Sequence, residues 1–333
     1  MANSQGAHRT SNGILAISRR ELLVSTGLGL SAAAIGAAVP ASTPAADAKD
    51  RRPTGGEPFG YCFNMATIMG QNLPLGQEVD VAAKAGYRGI EPWVRKIEEY
   101  VKGGGSLPEM KNRIADLGLS VEGAIGFADW INDDEAKRSA GLEQMKRDME
   151  LVAKLGGKRI AAPPGGAYNA PMDLDKVAGR YRRLLELGRQ TGVVPQLELW
   201  GRSQTLHRLG EVAYVLVEAA HPDACTVLDV FHVYRGGSDF AGLRLFFGSA
   251  LHVFHMNDYP ADPPREKITD AERVMPGDGI APLGQILRDL RTAGFRGMLS
   301  LELFNRSYFQ QDPLAVARTG LEKMKAAVAK ALA

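Results

Sequence analysis

Apolar and polar positions follow two rhythms from Phe59 to the C-terminus. Short apolar runs recur: "FGYCFNM" (59–65), "GIEPWV" (89–94), "SVEGAIGF" (120–127), "RIAAPPG" (159–165), "VPQLELW" (194–200), "CTVLDVFHVY" (225–234), "LHVFHMNDY" (251–259) and "GMLSLELF" (297–304). Runs of this length, bounded by turn residues, predict strands. Between them lie amphipathic stretches such as "LPEMKNRIADLG", "AKRSAGLEQMKRDMELVAKLG" and "LDKVAGRYRRLLELGRQTG". Several end in glycine just before the next strand, the expected helix stop. "KAGYRGIE", "KLGGKRIA" and "TAGFRGMLSLE" repeat one helix–glycine–strand cadence. Eight strand-then-helix units predict an α/β fold, a single-domain (β/α)8 TIM barrel over residues 58–333. A doubly wound sheet would usually carry a glycine-rich phosphate loop after its first strand, and "FNMATIMGQNLPLG" holds none.

The N-terminal segment has another pattern. Arg19 and Arg20 follow Ser18 and precede an apolar run from Leu22 to about Val39, and "ADA" (46–48) offers a small-residue exit. That order predicts a twin-arginine (Tat) signal over residues 1–48. It implies passage through the Tat export machinery and a periplasmic or secreted mature protein. The run is too rich in glycine and alanine for stable membrane insertion. "KDRRPTGGE" (49–57) is expected to be a linker.

Charge and cysteine content narrow the function further. A net charge of +2 gives no electrostatic case for nucleic acid. Two cysteines, Cys62 and Cys225, exclude a disulfide framework and a CxxC-type metal site, and two free thiols are expected.

Alternation along the strands then sorts the ionisable residues. On strand 5, Gln196, Glu198 and Trp200 share one face against Leu197 and Leu199; on strand 8, Ser300, Glu302 and Phe304 share one face against Leu299, Leu301 and Leu303. Asp229 lies opposite Leu228 and Val230, and His255 faces with Val253 and Asn257. The leucine faces belong under the helices, so Glu198, Asp229, His255 and Glu302 point into the barrel. All four stand toward C-terminal strand ends, where barrel active sites are built. Three inward carboxylates would repel one another unless a cation joins them. Three oxygen donors and one nitrogen suit one divalent metal ion, Mn²⁺ ahead of Mg²⁺ or Co²⁺, with Zn²⁺ also admissible. His232, three residues beyond Asp229, is out of phase; the strand is expected to end near Val230 and turn His232 over the mouth.

These motifs resemble the xylose-isomerase-like barrel superfamily, in its sugar phosphate isomerase/epimerase branch, over residues 59–330. The resemblance rests on Glu closing strand 5 ("QLELW"), Asp-x-x-His on strand 6 ("DVFH"), His-x-x-Asp on strand 7 ("HMND"), Glu on strand 8 ("LSLELFN") and "RVMPGDG" (273–279). It implies Glu198, Asp229, His255 and Glu302 as metal ligands, with Glu198 and Glu302 doubling as acid and base. It implies that His232 and Arg273 contact substrate oxygens and that Glu91 and Trp93 line the pocket. Trp93, Trp200 and Phe304 would stack on sugar C–H faces. The implied activity is isomerisation or epimerisation of a keto-sugar or keto-polyol by proton abstraction next to the carbonyl, through a metal-stabilised enediolate. A dehydratase or lyase on a 3-keto sugar or glycoside shares that first step, and a periplasmic sugar-binding protein is a third reading. Endonuclease IV chemistry is disfavoured, because strands 2 and 3 carry no His and Val274 stands where that branch has a ligand. The long 260–281 connection carrying Arg273 is expected to act as a lid. A homo-oligomer is compatible with all of this.

Overall fold

The computed structural model describes residues 58–246 and 248–333. The expected export signal (1–48) and linker (49–57) lie outside the described residues. The elements run β1 (Gly60–Asn64), α1 (Leu75–Ala85), β2 (Gly89–Glu91), α2 (Val94–Lys102), α3 (Leu107–Asp116), β3 (Ser120–Val121), α4 (Glu135–Leu155), β4 (Arg159–Ala162), α5 (Leu174–Thr191) and β5 (Val194–Glu198). They continue with α6 (Leu209–Glu218), β6 (Thr226–Asp229), α7 (Val230–Gly236), β7 (Leu251–Met256), α8 (Leu283–Thr292), β8 (Met298–Leu301) and α9 (Pro313–Leu332). The strands are parallel, in the order β3-β2-β1-β8-β7-β6-β5-β4. This is the expected (β/α)8 barrel.

Each strand is shorter than its apolar run. The third run shows why. Regular pairing stops at Val121, and beyond it Gly123 packs against Glu91, where a Cβ would lie 2.5 Å from Glu91 Oε1. The chain still completes the barrel irregularly. Val94 N–H donates to Ile125 O (2.9 Å), and across the β3–β4 seam Ala161 N–H donates to Ala124 O (2.8 Å). Trp130, fully buried, fastens the same segment by donating from Nε1 to Pro163 O at 2.6 Å.

The apolar residues form two cores. Phe63, Ile90, Leu197, Leu228, Phe254, Leu299 and Leu301 face outward and pack with the helices in the large cluster. Ile125, Ala161, Val227 and Val253 form a small interior layer, with Trp93 and Met298 against it. Strand parity therefore works as expected: outward leucines meet helices, and inward positions fill the barrel. Cys62 and Cys225 are both buried free thiols. Among the described residues, no helix is long and apolar enough to cross a membrane.

The sixth run divides sharply. β6 ends at Asp229, and α7 begins at the next residue. Asp229 is the N-cap: its Oδ1 accepts from His232 N–H at 2.9 Å, while Asn257 Oδ1 accepts from Phe231 N–H at 3.0 Å. Two otherwise orphaned helix N–H groups are thus satisfied by buried polar side chains.

Trp130→Phe tests the seam. It leaves the buried Pro163 carbonyl without its donor, so a loss of about 1–3 kcal/mol is expected in urea denaturation. Hydrogen exchange at the Ala161 amide should accelerate, whereas a change confined to distant helices would contradict this account.

Candidate active site

The C-terminal strand ends gather the polar groups. Glu91 closes β2, Glu198 closes β5, Asp229 closes β6, His255 is next to last in β7, and Glu302 directly follows β8. The register pairs Asp229 with His255, and His255 with Ser300. Asp229 and His255 are therefore level, and Glu302 lies one inward position above Ser300.

Among the described residues, ligand atoms of Asp229, His255 and Glu302 all lie within 4.8 Å of one another. His255 is fully buried and held at one ring edge: its Nε2 lies 3.0 Å from Glu91 Oε2. Ser300 Oγ donates to the same Glu91 oxygen at 2.6 Å. This arrangement turns Nδ1 toward Glu302 Oε2 (3.1 Å) and Asp229 Oδ2 (3.8 Å), yet Nδ1 has no hydrogen-bond partner. Burial pushes the imidazole pKa down, but the charges of Glu302 and Glu91 outweigh it and raise it well above its ordinary value. A buried ring nitrogen without a hydrogen-bond partner beside two carboxylates is a donor set that fits a divalent cation.

Glu198 stands apart from that trio. It is buried in the cavity wall that it shares with Trp200. Burial, and then the Glu302 charge, push its carboxyl up to about 8. Glu91 departs from expectation outright. It was expected on the pocket wall, but it is 1% exposed and packed against His255, because its carboxylate is the acceptor that orients that ring.

Arg273 is fully buried at the centre of the charges. Nη1 donates to Asp229 Oδ2 (2.7 Å) and Glu302 Oε2 (2.9 Å). Nη2 donates to Asp270 Oδ1 (2.6 Å) and lies 3.2 Å from His232 Nε2. Burial, and then the Arg273 charge, push His232 down to about 4, so it is neutral near pH 7. Its Nε2 then accepts from Arg273, which places the proton on Nδ1, a buried atom without a partner. Asp270 is held down at about 2, burial being outweighed by Arg273.

Above these groups lies a cavity of about 190 Å³. Trp93, Phe127, Tyr168, Trp200 and Phe304 supply its aromatic walls, with Glu198, His232, Arg273 and Glu302 among the polar ones. Ring centroids of Trp93–Phe127 (5.0 Å), Phe127–Trp200 (6.1 Å) and Trp200–Tyr168 (5.9 Å) trace a continuous belt.

The profile of the family described as xylose isomerase-like TIM barrel matches residues 79–327. The chain belongs to this family. An inosose isomerase of Halalkalibacterium halodurans is 31% identical over 280 residues, spanning 81% of this chain and 96% of that protein. A 3-dehydroshikimate dehydratase of Pseudomonas putida is 24% identical, over 75% of this chain but 39% of that longer protein. The crystal structure of the IOLI protein with a bound zinc atom superposes with a TM-score of 0.76 at 24% identity, covering 83% of this chain and all of that one.

In this xylose isomerase-like barrel the 260–281 connection is fastened over the mouth. Asp258 accepts from the N–H groups of Tyr259 (2.8 Å), Gly277 (3.0 Å) and Ala281 (2.8 Å) and forms a backbone bridge with Val274. A Cβ on Gly279 would lie 2.4 Å from Asp258 Oδ1, so glycine is needed there. Asn305 Nδ2 donates to Arg273 O at 3.0 Å. The expected lid is thus an anchored strap that delivers Arg273. Phe127, Tyr168, Arg202 and Asp270 also line the cavity and were missed. Phe127 ends the third apolar run and Asp270 precedes Arg273 by one helical turn, and these positions were the available signals.

Arg273→Ala should destabilise the metal-free protein by about 3–5 kcal/mol, because Asp229 and Glu302 lose their shared cation. Added Mn²⁺ should raise Tm more in the variant than in wild type. Equal Tm shifts would mean that the cation and Arg273 do not share those carboxylates.

Asp258→Asn should loosen the strap without touching the cavity. The expected readout is a higher KM and faster exchange of the Gly277 and Ala281 amides. Unaltered exchange would remove Asp258 as the anchor.

Proposed function

We propose that this protein is a divalent-metal-dependent isomerase or epimerase of a keto-sugar or keto-polyol. The observation that carries the reading is the convergence of His255 Nδ1, Asp229 and Glu302 within 4.8 Å of one another, under an aromatic cavity that also presents Glu198. The resemblance to an inosose isomerase over most of both chains supports it. Asp229, His255 and Glu302 would hold the cation, and Glu198 is the fourth donor. Oxygen-rich ligation favours Mn²⁺, with Mg²⁺, Co²⁺ or Zn²⁺ as substitutes. When bound, such an ion supplies Lewis acidity toward a carbonyl and its neighbouring hydroxyl and offsets enediolate charge.

The chain's own residues would do the rest. Glu198 on β5 and Glu302 after β8 flank Asp229 and His255, so they can serve opposite sides of a substrate in the cavity. One removes the proton next to the carbonyl, and the other returns it on the other face or carbon. The raised carboxyl of Glu198 suits a group that must hold and release a proton near neutrality. His232 Nδ1–H and Arg273 would donate to substrate oxygens. Trp93, Trp200 and Phe304 would cover sugar C–H faces and exclude water. A second reading, elimination by a dehydratase, draws support from the dehydratase relative and shares the enediolate step.

We also propose that the protein is exported through the Tat machinery. The motivation is Arg19–Arg20 and the apolar run that follows. Replacing both arginines with lysine is expected to strand precursor in the cytoplasm, and unchanged export would sink the assignment.

Glu198→Gln and Glu302→Gln should each lower kcat by about 10²–10⁴-fold. The assay is turnover of keto-sugars and 3-keto-glycosides with Mn²⁺ in D₂O, followed by NMR. One variant should still wash deuterium into substrate without forming product, and the other should do neither. Near-wild-type turnover in both would leave the glutamates as ligands only. A new unsaturated product in wild type would select the dehydratase reading.

A further inference from the structure

Beside the active-site cavity lies a second one, of about 350 Å³, which shares with it the wall formed by Trp93, Ile125 and Phe127. It opens between the first turn of α2 and the middle of α4 and presents Arg95, Glu98, Gln144 and Asp148. Asp148 is 3% exposed. Its Oδ1 accepts from Gln144 Nε2 at 2.5 Å, and its Oδ2 lies beside Gly126. Gly126 leaves that oxygen uncrowded, since a Cβ there would stand 3.3 Å away. The adjacent Arg147 is engaged elsewhere, donating to Gln144 Oε1 at 2.8 Å. A largely buried carboxylate on a cavity wall can accept a further hydrogen bond from a ligand donor.

The rest of the lining says what such a ligand is. Glu98 adds a second acceptor and Arg95 a set of donors, its guanidinium 4.8 Å over the Trp93 ring. Phe127 is half exposed and offers an apolar face. Acceptors, donors and an aromatic face together match a polyhydroxylated ring. The inner cavity alone is smaller than the ~300–1,000 Å³ usual for a whole ligand; the two together fall in that range. We propose that the second cavity is a sugar subsite and that the substrate is a glycoside, its keto ring in the inner cavity and its second ring against Asp148, Glu98 and Phe127. This rests on the keto-sugar reading above.

The test uses the mature protein loaded with Mn²⁺ and two paired probes: 3-keto-glucose against 3-keto-maltose for turnover, and methyl glucoside against maltose for calorimetric binding. Wild type should prefer 3-keto-maltose by about tenfold in kcat/KM, the scale of one hydrogen bond to a charged group. Asp148→Asn, and Glu98→Gln at the less buried position, should each cut the 3-keto-maltose value several-fold more than the 3-keto-glucose value. Equal kcat/KM for both substrates, or equal losses in the variants, would overturn the subsite. If neither keto-sugar turns over, the isomerase reading fails, and calorimetry decides the subsite alone. Maltose binding that weakens in both variants supports it, and no maltose binding in wild type refutes it.

Discussion

Negative charge buried at the barrel mouth is the constraint on which the rest depends. Glu91, Glu198, Asp229 and Glu302 are each 5% exposed or less, above an interior layer that is apolar. Carboxylates so placed must meet cations or hydrogen-bond donors, or the fold loses several kcal/mol. The protein supplies Arg273 from one side and His255 from within. Every surrounding feature serves to keep those two in place. Glu91 and Ser300 aim the imidazole, and Asp258 anchors the strap that carries Arg273.

Asp229 shows how closely structure and chemistry are merged. Its Oδ1 caps α7, and its Oδ2 takes Arg273 and the Asn257 amide. Asn257 in turn caps the same helix and reaches the Glu302 backbone at 3.3 Å. The helix start, the Asp229 and Glu302 oxygens and the arginine are therefore one network. A change at any member would propagate to the others, which is the general behaviour of fully connected buried polar groups. The aromatic belt above the network grades outward to the half-exposed Phe127, where a ligand can enter.

What the sequence alone determined follows from parity and spacing. Side chains alternate across a strand whatever the tertiary context, so leucines at 197, 299 and 301 were legible as outward and Glu198, Asp229, His255 and Glu302 as inward. The glycine stops and the eight-fold cadence were equally local, and the barrel followed from them. The end of strand 6, expected near Val230 and found at Asp229, was legible too, because His232 fell out of phase.

Depth along the barrel axis and the choice of partner were not local. Glu91 has the same parity as the cavity residues, yet its carboxylate turns onto His255 Nε2, where it orients that ring instead of lining a wall. Glu198 shares the inward face but stands outside the converging trio. Arg273 was placed on substrate by its motif; only the fold showed its guanidinium bridging Asp229 and Glu302. Asp148, mid-helix and surrounded by charged residues in sequence, gave no signal of the cavity it faces. Pattern along one chain fixes which way a side chain points, but what it meets depends on strand shear and loop closure, and those are decided only when distant segments pack.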